Sequence, residues 1–444
     1  MLRQHYNTSG MVDKRVPIIL HRLSLIVMSM MLSTYSLCQD SVRYIPDGTE
    51  GEFLEVVEDT VPQRWRDKRW RLFPGRFSTL KLGGGFLYEF AGFTQDDDSR
   101  IQADSAGYVV ESAFKVRDFR LVASGQFKTK RTFSWKVGLM YDGVSDSWLV
   151  RETGFMVGVP ELWGHFFIGR TKEGFSMNKV MNGYAGWTLE RQMALDVIPI
   201  LADGVKWLGF LPKQRVWWNL GVYADWLSNG QSFSTYKWQL AARVGWLPIY
   251  SKADNTLLHV GINYRFGEPV SGDIRLRSRP EANPAPYFID TQTFSSNGSN
   301  HFGPEVYFSK GSWMFGSEYY VHQFNSPESS DNVFFGGEVV AMYIITGETR
   351  PYSTVSAIYG FVPVARPVFK GGPGAWEVVL RFSHLNLNDG PIQGGNFWRV
   401  TPMVNWYLSK DVRLELAYGY GVLDRFNIKG TTQFFQARLQ LTLL

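Results

Sequence analysis

The sequence is short of cysteine, of long apolar runs and of histidines at ligand spacing, and each shortage excludes a class of protein. Its one cysteine, Cys38, falls in a segment read below as a leader, so the mature chain would have neither disulfide nor thiolate chemistry. A mean hydropathy of -0.17 is not that of a bundle of membrane helices. The seven histidines (His5, His21, His165, His259, His301, His322 and His384) form no HxxxH or HExxH, so neither a metal site nor a cofactor is expected. No GxSxG marks a nucleophilic serine, and His384 continues an apolar face, which suits structure better than catalysis. The chain does not read as an enzyme.

What is abundant is aromatic (16% of residues) and glycine (44 residues). Lys14, Arg15, His21 and Arg22 precede the apolar stretch Leu23–Leu37, which is too short for a spanning helix but suits the apolar part of a signal peptide, from either Met1 or Met11 as the start. Ser36 and Cys38 supply the small residues of a cleavage site, so residues 1–38 are expected to be removed on export. Removal leaves 42 basic against 40 acidic residues, a net charge of +2, and no case for nucleic-acid binding. Residues 39–70 read as a periplasmic lead-in ending in RWRDKRW (64–70), a basic-aromatic patch expected to anchor at the membrane interface. Residues 71–444 carry a different signal.

From Leu80 onward, strand-length runs with alternating character are separated by turns rich in Gly, Asn, Asp, Ser and Pro. In VRLELAYGYGVLD, Val412, Leu414, Leu416, Tyr418, Tyr420 and Val422 share one face, and Arg413, Glu415, Ala417, Gly419 and Gly421 the other. FFQARLQLTLL and WRVTPMVNWYLS repeat the scheme. Further runs lie near 79–93, 115–127, 131–142, 147–159, 163–170, 203–211, 214–227, 237–248, 256–267, 302–324, 332–346 and 374–387. Allowing for one split run and one missed strand, they make about sixteen strands, an even number as single-chain outer-membrane barrels require. β-sandwich domains would also alternate, but no linker divides the region into units of sandwich size. Tryptophans also gather at the ends of apolar faces (Trp217, Trp218 and Trp226; Trp238 and Trp246; Trp398 and Trp406), as in interfacial girdles, and the tight LSKD (408–411) contrasts with the long 171–202 and 268–301. The expected fold is all-β, a transmembrane antiparallel barrel whose outer face meets outer-membrane lipid.

Parity then sends Arg120, Lys136, Lys237, Arg243, Arg265, Arg381, Arg399, Arg413 and Arg438 inward, with Asp118, Asp142, Asp225, Glu338, Glu377 and Glu415. A cation facing the bilayer midplane costs about 2–4 kcal/mol, which fixes the register. A barrel of this size is too wide for side chains to fill, so a water-filled lumen with a mild cationic excess is expected.

GRTKEGFS (169–176) has the glycines, lysine and serine of a phosphate cradle, but Lys172 precedes Gly174, no hydroxyl follows the lysine, and no helix–strand context surrounds it. GRTKEGFSMN instead resembles the G-x-x-K-E-P-F-S-x-E segment of the phosphate-selective porins O and P. TLERQ (188–192) is similar to the E-R that follows it, and PGRF (74–77) to the lead into the first strand. WEVVLRFSHLNLNDG, the later GG, TPMVNWYLSKDVRLELAYGYG and FFQARLQL resemble that family's last strands. The resemblance runs from about residue 70 to 444. It implies sixteen strands, a homotrimer, and a third loop that folds inward to constrict the channel and begins with Arg170, Lys172, Glu173, Phe175 and Ser176. Lys179, Glu190 and Arg191 would lie further along it. Gly174 stands for the family's proline and Asn178 for its second glutamate, implying a more flexible loop, and the chain ends in Leu444 where an aromatic is usual.

The expected function is diffusion of small hydrophilic solutes across the outer membrane with a preference for phosphate or similar anions. A channel for general or uncharged solutes, or a structural or adhesive barrel, is the alternative; an outer-membrane hydrolase ranks third.

Overall fold

The computed structural model describes residues 72–143, 145–226, 236–327 and 330–443; the expected leader, and the lead-in with its basic-aromatic patch, lie outside the described residues. In a bilayer, alternation of this kind gives a sheet with one face in lipid, and only a closed sheet leaves no unpaired edge there. The wall begins with β1 (Thr79–Gln95), β2 (Ala113–Gln126), β3 (Phe133–Asp142) and β4, which is broken into Ser147–Val150 and Thr153–Val159. It continues with β5 (Gly164–Thr171), β6 (Ala202–Leu211), β7 (Val216–Ala224) and β8 (Tyr236–Ser251). Next come β9 (Thr256–Pro269), β10 (Gly298–Lys310), β11 (Trp313–Asn325) and β12 (Asn332–Ile344). The last four are β13 (Ala375–Asp389), β14 (Ile392–Tyr407), β15 (Val412–Arg425) and β16 (Ile428–Leu443). Each pairs antiparallel with the next, and β1 closes on β16 in a register that sets Glu89 opposite Arg438. The run at 302–324 is the split one, cut by a turn through Gly311 at φ 55°.

Leu121, Ile262, Val339 and Leu416 stand on the outer face, 47%, 60%, 56% and 59% exposed, which only lipid makes favourable. Trp217 departs from the expected girdle. Two successive strand residues cannot share a face, and Trp217 is the one that turns inward, fully buried, stacked on His259 with the Arg243 guanidinium 4.5 Å from its ring centre.

Two of the wall's register shifts place charged residues against strict parity. Between Leu87/Asp118 and Tyr88/Val116 the register skips Arg117, so Arg117 and Asp118 both reach the interior. Between Tyr236/Pro269 and Trp238/Glu268 it skips Lys237. Tyr236 is buried inside, whereas Lys237 is 55% exposed and donates to Glu268 at 2.9 Å.

At the end where β1 begins and β16 finishes, the turns are short (127–132, 160–163, 212–215, 252–255, 311–312 and 408–411), with one exception at 345–374. The opposite end carries 96–112, which contains helix α1 (Asp97–Ala106), together with the long 172–201 and 270–297. Residues from 172–201, 270–297 and 345–374 pack on the inner face and form two apolar clusters within the wall. In one, Phe175, Leu195 and Phe288 meet Phe397 and Phe434; in the other, Trp187, Val355 and Tyr359 meet Trp217 and Tyr307. The gap between the runs at 332–346 and 374–387 already marks the third segment's length, but not that it turns inward.

Candidate functional site

The site begins where β5 ends. Gly174 lies so close to the wall that a Cβ there would stand 2.3 Å from the Asn219 carbonyl oxygen, so this position is a point of close contact. Ser176 follows at φ 64°, a strained value for a residue with a side chain, and it caps the single-turn helix α2 (Met177–Val180) by accepting from the Lys179 amide at 3.1 Å. What holds it there is a row of carboxylates on neighbouring strands: Glu305 on β10, Glu318 on β11 and Glu338 on β12 are paired in register. Glu305 accepts the Met177 amide at 2.9 Å, Glu318 the Ser176 hydroxyl at 2.5 Å and the Asn178 amide at 3.0 Å, and Glu338 the Asn178 side-chain amide at 2.9 Å. Asn263 accepts the Ser176 amide at 2.7 Å. Amides that a short helix leaves unpaired are thus satisfied by the wall. Asn178, where the resembled family has glutamate, reaches a glutamate of the wall instead.

The seven loop candidates are brought together, but as struts. Arg170 donates to the Val150 carbonyl at 2.8 Å and to Asp203 at 3.3 Å. The Lys172 ammonium donates to the Met181 carbonyl at 2.7 Å and lies 3.8 Å from Glu152. Glu173 accepts from Lys179 at 2.6 Å and from Arg265 at 3.0 Å. Burial pushes the Lys179 ammonium down to about 8 against the upward pull of Glu173. Burial opposes ionisation of Glu173 as well, yet Arg265 and Lys179 hold its carboxyl below the ordinary range. Glu190 accepts from Arg117 at 3.0 Å and from Arg438; burial works against its charge, but the two guanidinium groups hold it at about 2. Arg191 donates to the carbonyls of Asn178 and Met181.

The nine wall candidates divide. Arg120, Lys136, Arg243, Arg265, Arg381, Arg399, Arg413 and Arg438 point inward, but they meet protein where the sequence suggested open water. Arg243 and Arg399 are fully buried; Arg243 holds Glu305 and the Ala357 carbonyl, at 2.8 and 2.7 Å, and Arg399 holds the Pro280 carbonyl and Gln436. Arg381 donates to the Glu190 carbonyl at 2.8 Å and to Glu281, and Arg413 to the Gly186 carbonyl and Gln440. Lys136 is buried. Long connections covering the inner face are the physical reason. Lys237, displaced by its bulge, stands outside this group altogether.

Strict alternation missed the residue that completes the arrangement, Arg117. A cavity of about 40 Å³ opens between 178–191 and the inner faces of β1, β2 and β16, room for a few water molecules. Arg117, Arg120, Arg191 and Arg438 line it, with Asp118, Glu190 and the backbone of Gly183 and Gly186. The Arg120 guanidinium sits 4.4 Å from the Tyr184 ring centre and donates to Asp118 at 2.7 Å; Tyr184 donates to the same carboxylate at 2.5 Å. Such a lining can hold an anion by several charge-assisted hydrogen bonds while its own acids keep each contact weak.

Comparison with known proteins agrees with this architecture. The profile of the phosphate-selective porin O and P family matches residues 90–443. An uncharacterised protein of Caulobacter vibrioides is 27% identical over 177 residues, which are 39% of this chain and 35% of that relative, so the match spans about a third of the relative's length. Among solved structures, OmpT of Vibrio cholerae in a trimer form is 12% identical with a TM-score of 0.52, over 82% of this chain and 99% of that one. OmpF of Salmonella typhi, in complex with daunomycin, is 10% identical with a TM-score of 0.52, over 83% and 100%. At these identities the likeness is one of fold.

Proposed function

The chain belongs to the phosphate-selective porin O and P family and forms an outer-membrane diffusion channel, and from that premise we propose that it passes small hydrophilic anions, phosphate or similar, through the space beside 178–191. The observation that carries this reading is the lining of that space, where four guanidinium groups face two carboxylates. Arginine suits the task because a planar fork grips an oxyanion at two points, and four such forks spaced along a passage allow transfer from one to the next. The segment 172–201, latched to the carboxylates of β10–β12, serves as the constriction. The protein is a channel and not an enzyme. It reaches the outer membrane through a cleaved leader and assembles as a homotrimer, in keeping with the trimer form of the Vibrio cholerae relative.

The test is the reversal potential of the purified protein in a planar bilayer under a salt gradient. Anion selectivity that falls when Arg117 and Arg120 are replaced by glutamine supports the reading. Cation selectivity in the unaltered protein, or none, overturns it.

A further inference from the structure

Outer-membrane barrels of this kind keep the turns short at the end where the chain enters and leaves the wall, the end that faces the periplasm. Six of the turns at that end obey, and the seventh, between β12 and β13, does not. We propose that residues 348–367 are a gate, a segment that closes the lumen from the periplasmic end and swings out to let solute through. The proposal rests on the channel reading.

Its contacts span the lumen. Arg243 on β8 donates to the carbonyls of Ser356 and Ala357 at 3.2 and 2.7 Å. His259 on β9 shares a hydrogen bond of 2.6 Å with the Tyr352 hydroxyl, and the Tyr359 hydroxyl donates to Ser309 on β10 at 3.0 Å. On the far side, Arg350 grips Glu377 on β13 through both carboxylate oxygens and donates to the Tyr407 hydroxyl on β14, each at 2.9 or 2.8 Å. One segment therefore touches strands from β8 round to β14, and Val355 and Ile358 fill the space between them with apolar side chains.

The segment is also built to leave. Its two short strands, Tyr352–Ser353 and Ile358–Tyr359, pair only with each other, so no bond of the barrel ladder breaks when they move. Glycines in the left-handed region stand at both ends, Gly347 at φ 96° and Gly371 and Gly374 at φ 80° and 74°. The chain is pinned to the rim outside Gly347, where the Ile345 amide donates to the Trp376 carbonyl at 2.8 Å, and again from Val368 onward, where the Val368 amide donates to the Leu408 carbonyl at 2.8 Å and the indoles of Trp376 and Trp406 both donate to the Pro373 carbonyl, so the part left to move is 348–367. Fixed ends, a permissive joint at Gly347 and a middle held by side chains make a hinged flap. Arg350 also donates to the Ala185 carbonyl at 2.9 Å, so the flap is tied to the constriction segment and its release loosens both.

The experiment compares single-channel conductance in planar bilayers for three full-length proteins: the unaltered chain, a variant with 348–372 replaced by a four-residue turn, and Arg350→Ala. The shortened variant is expected to conduct at least three-fold more than the unaltered chain, and Arg350→Ala to flicker between the two levels. A folded, shortened variant with unaltered conductance overturns the gate and leaves the channel reading intact. Should the shortened chain fail to fold, Arg350→Ala decides: new high-conductance openings support the gate, and an unchanged record overturns it. Absence of current in every folded form overturns the channel reading, and the gate with it.

Discussion

Lys172 and Arg191 donate to one oxygen, the Met181 carbonyl, at 2.7 and 3.2 Å. The first lies at the start of the segment 172–201 and the second well along it, so this shared acceptor closes 172–191 into a loop. Hydrogen bonds from charged groups to buried acceptors contribute about 1.5–3 kcal/mol each. Lys172→Gln and Arg191→Gln should both speed hydrogen exchange at the α2 amides. Only Arg191, which lines the cavity, should also lower the anion-to-cation permeability ratio. If Lys172→Gln lowers it as much, the lysine is part of the passage and not merely a brace.

Glu318 gathers five donors: the Asn178 amide, the hydroxyls of Ser176, Tyr307 and Tyr320, and the Gln192 side chain. Glu318→Ala leaves them buried without that acceptor, a loss of about 1–3 kcal/mol for each group that finds no other partner. The barrel ladder does not depend on it, so the expected result is a folded protein whose 172–201 segment is readily cut by protease and whose current is noisy. Quiet current and protease resistance would show that the segment is held by something other than the carboxylate row.

Asp196 accepts from the Ser278 hydroxyl at 2.8 Å, joining 172–201 to 270–297; burial pushes its carboxyl up to about 7, and the hydrogen bond pulls the other way. An unfolded aspartate titrates near 3.9, so between about pH 4 and 7 the folded protein holds a proton that the unfolded chain has lost. Stability from this group is therefore present at the acid end of that window and is lost as pH rises through about 7. The denaturant midpoint of Asp196→Asn should fall less than that of the unaltered protein between pH 5 and pH 8. Parallel profiles would remove Asp196 from the pH response.

The two bulges offer a matched pair. Arg117→Gln should lower the anion-to-cation permeability ratio by roughly two-fold, since it removes one of the four guanidinium groups lining the cavity proposed as the passage. Lys237→Gln should leave the ratio unchanged, because Lys237 faces away from the passage and holds Glu268. Equal effects from both would place the solute path elsewhere.

Alternation makes the wall legible because it follows directly from having lipid on one side: each strand of the wall overlaps a run of alternating character, and the long run at 302–324 holds two strands. The site was less so. The position of α2 over Glu305, Glu318 and Glu338 depends on which strands lie opposite β5, and that is a property of the closed barrel with no local signature. Lys237 lies off its expected face, and Arg117 escapes the inward set, for a sharper reason: one skipped residue reverses parity and leaves no mark in composition. The burial of Arg243 and Arg399 was hidden too, because a connection's length does not say whether it turns inward or outward.

A bulge that brings a cation in or turns one out changes the charge of the passage by one unit without altering any residue's identity. Single-residue insertions and deletions at strand ends are thus a route by which relatives of this channel could change what they admit. Two copies with every charged residue in common could differ in selectivity through one added position alone.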